Sequence, residues 1–255
     1  MNVPKNLIED AKTILDVGGW FKPEPRATHV VDLMPWETRA VSLNLKPLPN
    51  ERFTKKTWHQ VNFLSPKFAL PFPDRFFDLV LCGHTVEDLI DPSALLVEMQ
   101  RVGRTGFIEC PSRLSEQTIG LRDRESKKPG HPHHHWIVEK QGKELFLYSK
   151  KDSRLDNPKT LVPLSWFEKS KLAGTIEFFW SGRFSFQFVN GEECFTEAAK
   201  AVQHLKIPWL VRSWDHGMRF GRRVRSRIQG KKTEEFSWWN EILEQSRPYS
   251  SIPLP

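Results

Sequence analysis

The 255-residue chain has only three cysteines, Cys82, Cys110 and Cys194, far apart and without CxxC spacing. That excludes a disulfide frame and fits reduced, buried thiols in a cytoplasmic protein. No run of about 18 apolar residues occurs, so no membrane-spanning helix is expected. The opening MNVPKNLIEDAK is polar and amphipathic. It lacks the apolar core and cleavage site of a secretory signal. There is no internal repeat and no low-complexity tract. What remains is an ordinary globular composition, with 38% hydrophobic residues and a length sufficient for one full core with or without an appendage.

Charge is the first positive feature. The formal net charge is +7, and the excess is concentrated between Arg212 and Lys232. Such a patch favours anionic partners: phosphorylated substrates, nucleic acid or a membrane surface. Within it, Phe220, Val224 and Ile228 recur at helical spacing, with Arg219, Arg222, Arg223, Arg225 and Arg227 on the remaining faces. A helix docked through that narrow apolar stripe, showing its guanidinium groups to solvent, accounts for the pattern. RNA binding would need aromatic stacking surfaces as well, and no RNA-binding module is recognisable. The preceding IPWLVRSW (207–214) would also suit a membrane interface.

Hydrophobic patterning organises the first half. A helix is predicted over 5–12 and strands over 12–17, 28–33, 58–64, 76–82 and 105–111. A Pro-started helix fills 91–102. Strands alternating with helical or loop segments argue for a parallel α/β sheet. The segment 116–135 reads mainly as a loop. Hairpins are expected over 136–150, turning at Gln141-Gly142, and over 176–189, turning at Ser181-Gly182. The second hairpin is expected to close the sheet with an antiparallel edge, and the first to form a flap. From Glu192 onwards the chain reads as helical and basic, ending in the frayed tail SIPLP. The expected organisation is residues 1–190 as one unit, with the hairpin 136–150 inserted, and 191–255 as a basic helical extension.

In an open parallel sheet, ligands bind at the carboxyl ends of the strands, near the switch point. Asp16, Gly18 and Gly19 end the first strand, Asp32 and Leu33 the second, Asn62 and Phe63 the third, and Cys82, Gly83 and His84 the fourth. An acid ending the second strand after a glycine turn is where a ribose diol is held by a carboxylate. Taken alone, Asp32 would serve equally as a helix cap. Trp20, Phe21, Lys22 and Pro23 follow the glycines, where a phosphate-wrapping loop would need small residues. Glu109, ending the fifth strand, is read either as facing a substrate or as capping the next helix.

The stretch 70–112 resembles the second half of a class I S-adenosylmethionine-dependent methyltransferase of the methyltransferase-11 type. The resemblance rests on Leu70-Pro71-Phe72, Asp74, Phe77-Asp78, His84, Glu87, Asp91-Pro92 and Arg101-Val102, in that order. The Asp-x-Gly-Gly opening and the His134-His135-Trp136 motif before a hairpin are similar to a subgroup of that family. The resemblance implies a Rossmann-like, mainly parallel sheet and S-adenosyl-L-methionine as cofactor. It implies that Asp16, Gly18 and Gly19 line the donor's methionine side and that Asp32 binds the ribose. It also implies that Asn62 and Phe63 flank the adenine, and that Cys82 and His84 border the sulfonium methyl. A sulfonium donor carries no phosphate, so close backbone approach at Gly18-Gly19 suffices, and Trp20 with Phe21 is expected to roof the site.

Methyl transfer from an activated donor asks the protein mainly for positioning and exclusion of water, plus a base when the acceptor is a hydroxyl. His84 and His135 are the candidates for that chemistry. The His-rich HPHHH (131–135) lacks a fixed helical pair and an adjacent cysteine, so no metal is expected there. The reading is a methyltransferase acting on a small-molecule or saccharide-like acceptor, with O-methylation ahead of N- or C-methylation. A catalytically inactive scaffold of the same fold, or a nucleic-acid methyltransferase recruited by the basic tail, are the alternatives.

Overall fold

The computed structural model describes residues 1–39, 50–65, 68–122, 128–170 and 172–208. A short helix α1 (Lys5–Asp10) leads into β1 (Ile14–Val17), all four residues of which are buried. The strands β2 (His29–Asp32), β3 (Trp58–Gln60) and β4 (Phe77–Gly83) follow, then helix α2 (Ser93–Val102) and β5 (Gly103–Pro111). Continuous apolar runs such as LDV and DLVLC form strands because both faces of the sheet are covered. Beyond β5 come α3 (Arg113–Gln117), β6 (Thr118–Ile119), β7 (Trp136–Gln141) and β8 (Glu144–Ser149). The described chain continues with β9 (Val162–Pro163), α4 (Leu164–Ser170), β10 (Thr175–Ser181), β11 (Ser185–Val189) and α5 (Glu192–His204).

The main sheet has the order β10-β5-β4-β1-β2-β3, with β1 to β5 parallel and β10 antiparallel at the edge. This is the Rossmann-like class I arrangement that the sequence led one to expect. One face, through Leu15, Val17, Val31, Val80, Cys82 and Ile108, packs on Leu95, Leu96, Met99 and Val102 of α2 and on Val138, Leu145 and Leu147. Each such side chain contributes roughly 1.5–3 kcal/mol of transfer free energy.

Several motif residues of 70–102 turn out to be fasteners. The Arg101 guanidinium donates to the Leu70 and Phe72 carbonyls at 3.0 and 2.8 Å and pairs with Asp74 and Glu98. It thereby locks the segment before β4 onto α2. Asp78 accepts from the Lys12 and Thr13 amides, both at 3.0 Å, which fixes where β1 begins.

The opposite face shows what the altered glycine loop does. No helix lies between β1 and β2. Trp20 is buried against Ile14, Val30, Phe53 and Trp58, with its indole Nε1 donating to Thr38 Oγ1 at 3.0 Å. Trp20 therefore covers the sheet where a crossover helix would lie, rather than roofing the site as expected. Phe21 is exposed.

The second half corrects three further expectations. Residues 176–189 do not form a hairpin, because β10 pairs with β5 whereas β11 pairs in parallel with β8. The turn between them is tied elsewhere: Gly182 donates to the Arg104 carbonyl at 3.0 Å and Phe184 to Gln100 Oε1 at 3.0 Å. These bonds carry the chain off the main sheet, and Phe184, Phe186 and Phe188 alternate onto the core as expected. The hairpin 136–150 is not a flap, since β8 is the central strand of a three-stranded sheet, β11-β8-β7, that closes that core. Finally, α5 is helical but not basic, with Glu192, Glu193 and Glu197 among its residues. It docks Cys194, Ala198 and Val202 on Ile137, Tyr148 and Val189. The basic segment 212–232, Trp209, Trp214 and the tail SIPLP lie outside the described residues. No helix of the described residues is long and apolar enough to cross a membrane.

Candidate active site

The sheet order reverses between β1 and β4, so the crevice lies where their carboxyl ends part. Gly18 turns the chain out of β1 with φ of +72°, a conformation other residues adopt only at a cost. A Cβ added there would lie 1.9 Å from Thr85 Oγ1, so only glycine lets this loop approach the β4 end so closely.

Two buried carboxylates stand below that turn. Asp16 accepts the Glu24 amide through Oδ2 at 2.6 Å, which folds the loop back over β1. Its other oxygen, Oδ1, is buried with no hydrogen-bond partner among the described residues. Burial pushes its pKa up to about 7. Asp32 accepts the Trp20 amide at 2.9 Å and the Met34 amide at 2.8 Å, one on each oxygen. Burial lifts its pKa to about 6 in spite of those bonds. Asp32 thus organises the loop and does not cap a regular helix; a 3-10 turn over Trp36–Thr38 begins beyond it. Gly19 lies against the first of them, where a Cβ would meet Asp16 Cγ at 3.0 Å.

Leu33, past the end of β2, is partly exposed, and its carbonyl accepts from Gln60 Nε2 at 2.9 Å. Asn62 lies beyond β3 in a turn, where its side-chain oxygen accepts the Leu64 amide at 2.9 Å. Phe63 packs into the core against Phe68. Cys82 is fully enclosed, and burial raises its thiol far above the ordinary range. It belongs to the floor rather than the mouth.

His84 is the mouth. It leaves β4 at φ +53°, with its side chain 49% exposed. Its Nδ1 lies 3.4 Å from Glu87 Oε1 and its Nε2 3.3 Å from Glu109 Oε1, and both carboxylates are almost wholly buried. The contact with Glu87, working against partial burial and seconded by Glu109, holds its pKa above the ordinary histidine value. Glu109 therefore faces the site. The following helix α3 is capped instead by Ser112, whose Oγ accepts the Ser115 amide. His135 is exposed, and its role in the described contacts is through the backbone. Its amide donates to the Glu87 carbonyl at 2.7 Å, while Trp136 Nε1 donates to the Leu89 carbonyl at 2.9 Å. The His135-Trp136 pair thus straps the second sheet onto the turn that carries Glu87.

Sequence reasoning singled out His84 but not its clamp. A lone acid within the apolar GFIEC run and an acid three residues after His84 were the signals available. The partnership of Glu116 with His131, His134 and Lys150 left none, because its members come from separate elements.

Residues 28–108 match the family model described as a methyltransferase domain. This stretch is similar to methyltransferase-domain sequence. It spans β2 to most of β5, and so includes Asp32, Asn62, His84 and Glu87, while Asp16 and the glycines precede it. No curated protein matches the chain. Among solved structures, it is similar to an S-adenosylmethionine-dependent methyltransferase from Mesorhizobium loti, at 13% identity and a TM-score of 0.32, over 74% of this chain and 72% of that one. A SAM-dependent methyltransferase from Aquifex aeolicus is similar at 20% identity and a TM-score of 0.26, over 40% and 57%. The cyclase SpnF is similar at 17% identity and a TM-score of 0.30, over 49% and 51%. The chain spans about half the length of the first solved structures it matches.

S-adenosylmethionine is the cofactor named for the methyltransferases from Mesorhizobium loti and Aquifex aeolicus. The residues present fit it on two observations: the unpartnered, buried Oδ1 of Asp16 and the glycine-only approach at Gly18.

Proposed function

We propose that the protein is an S-adenosyl-L-methionine-dependent methyltransferase in which His84 handles the acceptor's proton. The observation that carries this reading is the left-handed, half-exposed His84 held between two buried carboxylates beside the Gly18 crevice. Asp16 would receive the donor's ammonium on Oδ1, and Asp32 the ribose, with Leu33, Asn62 and Phe63 towards the adenine. Bound there, the cofactor supplies a methyl group already activated by a cationic sulfur. The chain's own task is then to position the acceptor and to accept its proton. Neutral His84 takes a proton from a hydroxyl, and the resulting imidazolium is stabilised by Glu87 and Glu109. A hydroxyl acceptor needs such a base, which favours O-methylation of a small-molecule or saccharide-like substrate. His135 is left as a positioning residue, since its amide holds the turn bearing Glu87.

A non-catalytic scaffold of the same fold is the competing reading, favoured by the buried Trp20 and the absence of a helix after the glycine turn. Calorimetric titration of the purified chain with S-adenosyl-L-methionine and its demethylated product separates the two. The transferase reading expects both to bind. Failure of both would leave the scaffold.

A further inference from the structure

The His-rich loop before β7 was not expected to bind metal, because its own spacing fixes no pair of ligands. The fold supplies what the spacing lacks. Asp88, from the turn after β4, places its Oδ1 3.4 Å from His134 Nε2 and 3.6 Å from His133 Nε2. Each of the three residues offers a ligand atom within 4.8 Å of those of the other two. The separations are long for hydrogen bonds. They suit the edges of a tetrahedron whose centre-to-ligand distance is about 2.0–2.1 Å, for which the edge is about 3.3 Å.

The surroundings point the same way. His134 Nδ1 is 2.8 Å from Glu116 Oε1. The other oxygen of Glu116 carries the Lys150 ammonium, so this carboxylate is an acceptor and Nδ1 is the donor. With Nδ1 the donor, the uncharged ring of His134 turns its Nε2 lone pair to Asp88 Oδ1, an oxygen that is itself buried without a hydrogen-bond partner. Acceptor faces acceptor, and a cation between them resolves the arrangement. The carboxylate behind a ligand histidine is the arrangement by which metal sites fix the tautomer and orientation of the ring. A second cluster, Glu116 with His131 and His134, already has its cation in Lys150.

The two segments are also held in place without metal. His135 N–H bonds the Glu87 carbonyl and Trp136 Nε1 the Leu89 carbonyl, on either side of Asp88. We infer that Asp88, His133 and His134 form a divalent transition-metal site of the zinc class, with a remaining position open to water beside the exposed His133. Two imidazoles and one carboxylate select zinc-like ions over magnesium or calcium. The metal rivets the loop before β7 to the turn that carries Glu87, and the site stands independently of the methyl-transfer reading.

The test uses the full-length chain, stripped with chelator and titrated with Zn²⁺ by calorimetry and with Co²⁺ by visible absorption. One ion per chain is expected, with a cobalt spectrum of low-symmetry tetrahedral type and a raised melting temperature on zinc addition. His133→Ala, at an exposed position, and Asp88→Ala should each weaken binding at least about tenfold and abolish the thermal shift. No stoichiometric binding by the parent chain would overturn the inference. So would binding that survives Asp88→Ala, because it would belong to the histidine loop alone.

Discussion

Replacing Asp16 by Asn should make the protein more stable at alkaline pH and poorer at holding its donor. Asp16 is fully buried, its Oδ2 takes one amide, and its Oδ1 takes nothing. Burial lifts its folded pKa from 3.8 to about 7. The native state therefore holds this proton more tightly than the unfolded chain. The stability gained from that proton is fully present below about pH 4, declines as pH rises, and is gone above about pH 7. The rise from 3.8 to about 7, at 1.36 kcal/mol per tenfold change in proton affinity, makes the change on the order of 4 kcal/mol. Asn keeps an oxygen for the Glu24 amide and has no charge to bury. The stability difference between Asp16→Asn and the parent should thus move in favour of the variant by about 4 kcal/mol between pH 4 and pH 8. Urea unfolding at several pH values, read at constant m, measures it. The same variant should lose affinity for S-adenosyl-L-methionine, whose ammonium would find a neutral amide. Parallel stability profiles for the two proteins would refute the reasoning, for Asp16 would then be solvated or paired in the native state.

Three shorter expectations follow from the same geometry. His84→Asn should lower kcat by about 10²–10⁴ and remove a limb of the pH–rate profile that rises with pH. In the parent that limb should have its midpoint above 6.5, because Glu87 and Glu109 hold the imidazolium; an unchanged profile in the variant would exclude His84 as the base. Asp32→Ala should strand the buried Trp20 amide, at about 1–3 kcal/mol, and the half-buried Met34 amide at less, and cut donor affinity about tenfold to a hundredfold, both readable by unfolding and calorimetry. Gly18→Ala should cost about 1–2 kcal/mol from the left-handed backbone alone, with more from the overlap with Thr85. A melting temperature equal to the parent's would mean that the β1 turn does not approach β4 as described.

Local patterning was enough for the parallel half of the protein. The runs ending in Asp16, Asp32 and Cys82 are short, continuous and apolar because both faces of that sheet are covered, and such runs announce themselves in any sequence. The glycine pair and His84 were legible for a related reason, since each sits where a strand must stop and the chain must turn. The partners of these residues were not legible. Whether Trp20 roofs a cleft or fills a missing helix's place depends on what lies over β1 and β2. Whether the Ser181-Gly182 turn makes a hairpin depends on bonds that its amides donate to Arg104 and Gln100, remote in sequence. The clamp of Glu87 and Glu109 on His84, and the meeting of Asp88 with His133 and His134, join residues from separate elements. Sequence periodicity reports which way one element faces; only the packed chain decides what it faces, because burial fixes a carboxylate's partners and with them its charge.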